Sequence, residues 1–255
     1  MNFVARHPFD LFRALVMKEF KIRYKNSVLG FVWSLLNPVL FALVFFVAFR
    51  HILRLRTENF LVFLLVGLFP WQWFANSIAT SPGVFIGNAA LIKNVALPRH
   101  LLPMAMTANH LIHFVLALLV MTGFLMTQGI YPAVSWLAGI PILILIQFCI
   151  ITGCSLAIGS LNVFFRDLEH LALLFLNFLF YLTPILYPAS SVPERFRPWL
   201  HLNPMHAVIP AWHDLLLEGT IRWSRMGIGL VAAAALLGLG YALYRKLEWR
   251  FAESI

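Results

Sequence analysis

Between Arg99 and Arg166 the chain carries no Lys, Arg, Asp or Glu. One helix needs about 20 predominantly apolar residues to cross the hydrocarbon core of a bilayer, so this stretch holds two crossings. Lipid offers no water to backbone N–H and C=O groups, and only helices or a closed barrel can span it. Barrel strands would alternate apolar and polar residues over about ten positions, whereas "PILILIQFCII", residues 141–151, does not alternate. Two helices remain, joined at "QGIYPAVS", residues 128–135, where Gly129 and Pro132 make a turn.

The same reading of uncharged apolar runs predicts six spans, at 28–49, 60–81, 105–127, 136–162, 170–187 and 226–244. Composition agrees: 61% of residues are hydrophobic and 11% charged, against about 25% charged in a soluble domain. The predicted fold is an all-α integral membrane protein with a single domain over 1–255, comprising an N-terminal interface helix within 1–27, a six-span bundle over 28–244 and a tail at 245–255. No internal repeat is visible. The first 27 residues lack the apolar h-region of a signal peptide.

Orientation follows from Lys and Arg. With the N-terminus inside, twelve of the nineteen fall on the cytoplasmic side and seven outside, which places both termini in the cytoplasm. The formal charge of +9 is explained by this topology and by attraction to anionic headgroups, without nucleic acid. Cys149 and Cys154 both lie in span four and read as small apolar fillers, with no metal or disulfide pattern around them.

Four segments carry more than span-forming residues. Before span one, Phe9, Phe12, Val16 and Phe20 recur every three or four residues while Arg13, Lys18, Lys21 and Lys25 point mostly elsewhere, as in a helix lying in the membrane interface. In span one, Gly30, Ser34, Asn37, Phe41 and Phe45 fall in one stripe, and Pro38 invites a kink. Span five repeats the device with His170, Asn177 and Tyr181, Phe178 beside them and Pro184 near its end. Small and polar positions of this kind mark contact with another helix or with water, so the stripes read either as packing faces or as walls of a shared path. Fourth, "NAALIKNVALPR", residues 88–99, is a short basic helix-forming loop that is too short to be stable alone. It needs a surface, which is a partner or the membrane itself.

Taken in order, "RYKNSVLGFVWSLLNPVL" at 23–40, "GLFPWQWFANSI" at 67–78, "NAALIKNVALPR" at 88–99, "LNVFFRD" at 161–167 and "TPILYP" at 183–188 resemble the integral-membrane permeases of ATP-binding-cassette exporters that move polysaccharides of the O-antigen, teichoic acid and capsule types. The resemblance covers nearly the whole chain. It implies a homodimeric permease of the bacterial inner membrane, working with two copies of a separate ATPase subunit that binds ATP and Mg, and a lipid-linked glycan as cargo. Residues 8–24 would be the interface helix, with Phe12, Arg13, Phe20 and Arg23 on it. Asn88 to Ala96 would be a coupling helix seated in the ATPase, with Leu91, Ile92 and Val95 as apolar anchors and Lys93 and Arg99 near the rim. Ser34, Asn37, Phe41, Phe45, Asn177, Phe178 and Tyr181 would line the path, the aromatic rings closing it at rest as a dry constriction. Residues 189–224 would supply two short re-entrant helices, 193–200 and 204–217, as an external mouth bearing Arg195 and Arg197. Trp199, Trp212 and Trp223 read instead as an interfacial belt.

The chain contains no G-x-x-x-x-G-K-[ST] phosphate loop, so no cofactor or ATP site of its own is expected and transport activity is not that of an enzyme. His110 and His113 share a helix face as a metal pair would, but the uncharged region gives them no carboxylate partner. A secondary carrier would show buried carboxylates or related halves. An exporter of a small hydrophobic drug or lipid is the nearest competing reading.

Overall fold

The computed structural model describes residues 8–24, 60–95, 97–188, 191–196 and 203–254, together with a few single positions at 36–48 and Leu200. Span one and its stripe of Ser34, Asn37, Phe41 and Phe45 lie outside the described residues. Every regular element among the described residues is helical: α1 Pro8–Tyr24, α2 Phe60–Thr80, α3 Gly83–Ile86, α4 Ala89–Asn94, α5 Leu101–Thr127, α6 Ser135–Asn162, α7 Leu168–Leu182, α8 Val208–Glu218, α9 Trp223–Leu247 and α10 Phe251–Ser254, with 3-10 turns at Glu194–Phe196 and Glu248–Arg250.

Among these, α2, α5, α6 and the stretch from Trp223 to Arg250 are long and apolar enough to cross a membrane. Their bounds match the expected spans to within four residues, except that the last stretch runs six residues past 244. The fifth expected span, 170–187, does not run its full length. α7 has 15 residues, about 22 Å at 1.5 Å per residue, short of the roughly 30 Å core. Pro184 has no N–H to give, and it restricts the residue before it. Thr183 accordingly turns out of the helix at φ −87, ψ 137.

α2 is the central helix. Leu64, Val66 and Leu68 on it are fully buried, because α5, α6, α7 and α8 all pack around it. The most extensive helix pair is α6 with α9, and its cause is two glycines. A Cβ on Gly153 of α6 would stand 2.5 Å from the Leu236 carbonyl carbon, and one on Gly240 of α9 would overlap the Gly153 carbonyl. Without side chains at these points the backbones meet directly, the usual device where lipid gives helices no hydrophobic reason to associate.

Two cores result. The larger runs through α2, α5, α6, α7, α8 and α9. A smaller one gathers Leu15, Phe85, Ile92, Leu102, Val163, Tyr244 and Phe251. These residues come from α1, the 83–94 turns, the start of α5, the end of α6 and the end of α9, so all of those segments meet at one end of the bundle.

Candidate functional site

The 81–100 loop is built by polar ties where it leaves α2. Ser81 Oγ lies 2.7 Å from the Ser77 carbonyl and 2.7 Å from the Ser155 hydroxyl on α6, and Asn162 Nδ2 donates to the Pro82 carbonyl at 2.9 Å. Gly159 makes room for this packing, since a Cβ there would meet Val84 at 2.8 Å. Asn88, buried, donates from Nδ2 to the Val84 carbonyl at 2.8 Å and accepts from Lys18 Nζ of α1. α4 then makes its single turn and a half, closed by Val95 N donating to the Leu91 carbonyl at 3.0 Å.

Six residues were expected to dock this loop on a partner, and they divide in two. Asn88, Ile92 and Arg99 hold it: Ile92 is 5% exposed within the smaller core, and Arg99 donates to the backbone carbonyl of Glu248. Lys93 and Val95 point outward and Leu91 is half-buried. The loop is thus held from within and presents a basic and an apolar side chain.

α1 lies beside α5. Its buried residue is Leu15, with Leu11, Phe12 and Val16 packed on the same core. Phe9 of the expected stripe is 71% exposed and lines a groove with Phe12 and Val16 against Leu111 and Ile112 of α5, while Leu15 fills the core beside it. Phe20 stacks on His113 with ring centroids 6.2 Å apart, Arg13 is exposed, and the Arg23 side chain lies outside the described residues. His110, the other half of the expected pair, meets the Thr80 hydroxyl at 3.2 Å; the two rings serve different neighbours. Among the described residues no group of three or more His, Cys, Asp or Glu could hold a metal ion. Replacing Lys18 by alanine removes its tie to Asn88. Because Lys18 is part-exposed, the expected cost is about 1 kcal/mol or less, read as faster amide exchange over 8–24; unchanged exchange would show that the packing of Leu11, Phe12, Leu15, Val16 and Phe20 holds α1 without it.

On α7, Ala172, Leu176, Leu179 and Phe180 turn inward, while Asn177, Phe178 and Tyr181 are all exposed, Phe178 at 69% and Tyr181 at 64%. The exposed set shares one side with Leu171, Leu174 and Phe175, a long aromatic face that no other described helix covers.

At the opposite end of the bundle, the second expected re-entrant helix begins at Val208 rather than 204. Asn203 Oδ1 accepts from Met205 N at 2.9 Å, which makes 203–207 a turn. For the first, the described residues include one 3-10 turn carrying exposed Arg195; Arg197 lies outside them. α8 is buried along nearly its whole length. Trp212 is therefore not part of a belt. It is fully buried because its Nε1 donates to Gln147 Oε1 at 3.0 Å, while Gln147 Nε2 donates to the Pro70 carbonyl at 2.7 Å. His213 Nε2 donates to the Phe63 carbonyl at 2.9 Å, approaching α2 where Gly67 has no Cβ to meet it. Burial holds its imidazole well below the usual histidine value, which keeps it neutral. Asp214, a buried acid, accepts from Arg225 at 2.5 Å and lies 3.4 Å from Arg222. Gly219, at φ 66, ends α8 in the left-handed region, and its carbonyl accepts from Ser135 Oγ at 2.6 Å. None of Gln147, His213 or Asp214 was singled out by the sequence; the lone polar Gln147 in an apolar run was the available signal.

Comparison with known proteins gives one family match, to the ABC-2 type transporter model over residues 10–216. The chain is 38% identical over 253 residues to an O-antigen export system permease protein, RfbA, of Klebsiella pneumoniae, covering 99% of this chain and 98% of that protein. It is 32% identical over 246 residues to the protein of the same name in Myxococcus xanthus, covering 95% and 94%. It is 26% identical over 265 residues to the polysialic acid transport protein KpsM of Escherichia coli, covering 96% and 98%.

Proposed function

This chain belongs to the ABC-2 type transporter family, and we propose that it is the membrane permease of an exporter that carries a lipid-linked polysaccharide out of the cytoplasm, driven by an ATPase on a separate chain. The polysaccharide assignment is supported by relatives that match along nearly their whole length and are named for O-antigen export and polysialic acid transport. The observation that carries the mechanism is the held loop: Asn88, Ile92 and Arg99 secure residues 88–99 from inside while Lys93 and Val95 face out. A loop so anchored transmits force.

In this reading the permease works as a homodimer with two ATPase subunits, which bind ATP and Mg. ATP binding draws the two ATPase subunits together, and each carries its seated coupling helix with it. The displacement passes through the Ser81–Ser155 and Asn162–Pro82 ties into α6, and spans one and five of the two copies part at the seam. The exposed face of α7, with Asn177, Phe178 and Tyr181, forms one wall of the path and Ser34, Asn37, Phe41 and Phe45 the other. Aromatic faces suit a sugar chain, offering stacking surface and, in tyrosine, a polar tip. Span one and α7, the latter carried on by residues 183–188, complete a six-span count with the four long helices, and α8 is a re-entrant helix that shapes the external mouth near Arg195 and Arg197. The gathering of α1, the 81–100 loop and the C-terminus at one end supports a cytoplasmic placement for all three, in line with the lean of Lys and Arg.

The test is to purify the tagged protein from its native membrane in mild detergent and identify what accompanies it. Two copies with two of a phosphate-loop ATPase are expected. Val95→Asp with Lys93→Glu, both at exposed positions, is expected to cost at least about 2 kcal/mol of docking energy, roughly thirtyfold in affinity, and to release the ATPase while leaving the permease folded. Retention of the ATPase by that double variant would remove residues 88–96 from the docking surface.

A further inference from the structure

The C-terminal tail is the part of the molecule that the transport cycle leaves without work, and it is packed too well for a loose end. Beyond Leu247, one 3-10 turn and one helical turn bring Phe251 into the smaller core with no exposed surface. Its ring centroid lies 4.7 Å from that of Phe85, 6.1 Å from Tyr244 and 6.4 Å from Phe164. Those three rings belong to the turn before the coupling helix, to α9 and to the loop between α6 and α7. α10 also touches the coupling helix, α4, itself. On the other side of that helix, Arg99 donates to the Glu248 carbonyl, and Glu248 in turn accepts from Arg245 at 2.7 Å. The coupling helix is therefore bracketed by tail contacts at both its ends.

We propose that residues 248–254 are a strap, with Phe251 as the positioning residue, that fixes the coupling helix to α9 so that the two move as one body. This rests on the reading of residues 88–96 as the ATPase-docking segment. A six-residue helix between turns would otherwise tilt in place when pushed. With the strap closed, a push on α4 reaches α9, and through the Gly153–Gly240 contact it reaches α6 as well.

Spin labels at Ala90→Cys and Lys246→Cys, in a protein with Cys149 and Cys154 replaced by alanine, measure the strap directly in the reconstituted permease–ATPase complex. With Phe251 present, electron–electron distance measurements are expected to give one narrow distance that is the same without nucleotide and with ATP trapped by a hydrolysis-deficient ATPase. A distance that changes with ATP in this parent overturns the proposal without any tail variant. Phe251→Ala is expected to broaden the distribution and to lower cargo exported per ATP hydrolysed about tenfold, within the usual span of coupling between sites. The ATPase is expected to stay bound, and Phe251→Leu to restore most of both readouts. A narrow distance in Phe251→Ala, or unchanged export per ATP beside a broad one, overturns the proposal. Arg99→Ala cuts the other tie with the Phe251 pocket still filled, and it is expected to broaden the distance even if Phe251→Ala does not accumulate. Failure of the docking reading shows separately, as retention of the ATPase by the Val95→Asp, Lys93→Glu variant.

Discussion

Gly240→Leu is expected to leave no correctly folded protein. The Gly240 Cα faces the Gly153 carbonyl of α6 so closely that even a methyl group overlaps it, and the groups in the way are backbone, which has no rotamer to change. Relief requires α6 and α9 to separate along their length, or α9 to rotate its face. Either movement breaks the packing of Ala233 and Tyr244. Overpacking in a core costs about 1–3 kcal/mol where side chains can yield; here they cannot, and the upper end or beyond applies. Gly240→Ala is expected to reduce the yield and melting temperature, and Gly240→Leu to run as aggregate in detergent size-exclusion chromatography. A monodisperse Gly240→Leu peak with parental melting would show that the helices are free to part there.

Trp212→Ala is the second large effect. It empties the volume of a fully buried indole between α8 and α5, where Phe114 packs edge-on at 5.4 Å, at about 3–5 kcal/mol. It also strands Gln147 Oε1, a buried acceptor whose loss of partner adds about 1–3 kcal/mol. Trp212→Phe retains most of the volume and isolates the second part. Adding Gln147→Leu to Trp212→Phe removes the stranded group and is expected to recover part of the loss, a non-additivity that a double-mutant cycle reads directly. Melting of Trp212→Ala within the error of the parent would mean that α8 is not held by this side chain.

The long spans were legible because lipid imposes a simple rule, that uncharged apolar length means a crossing. α5 and α9 nonetheless extend past the expected 105–127 and 226–244, with Arg225, Arg245 and Lys246 inside the observed α9. Hydropathy marks the hydrocarbon, whereas a helix continues as long as its backbone bonds do. α2 could not be told from its neighbours, since a helix apolar all round looks the same whether lipid or protein surrounds it. Ile92 shows the same limit at the site. The family resemblance implied Leu91, Ile92 and Val95 as three outward anchors, and the tertiary contact with the smaller core turns Ile92 inward. Phe251, in a charged tail, offered no periodicity at all. Trp212 was misread for a different reason: tryptophan has both a wet and a dry use, and which one it takes depended on Gln147, 65 residues away.

The burial of α8 also bears on how such exporters could be refashioned. A designer wishing to exchange residues 189–222 for those of a relative would naturally graft that segment alone. That segment does not carry its own foundations. Trp212, His213 and Ser135's acceptor Gly219 answer to Gln147, Phe63, Gly67 and Ser135, all contributed by helices earlier in the chain, and Asp214 answers to Arg225 beyond the graft. A transplant that ignores those hosts would arrive with its anchors unmatched, so the segment has to be moved together with its sockets.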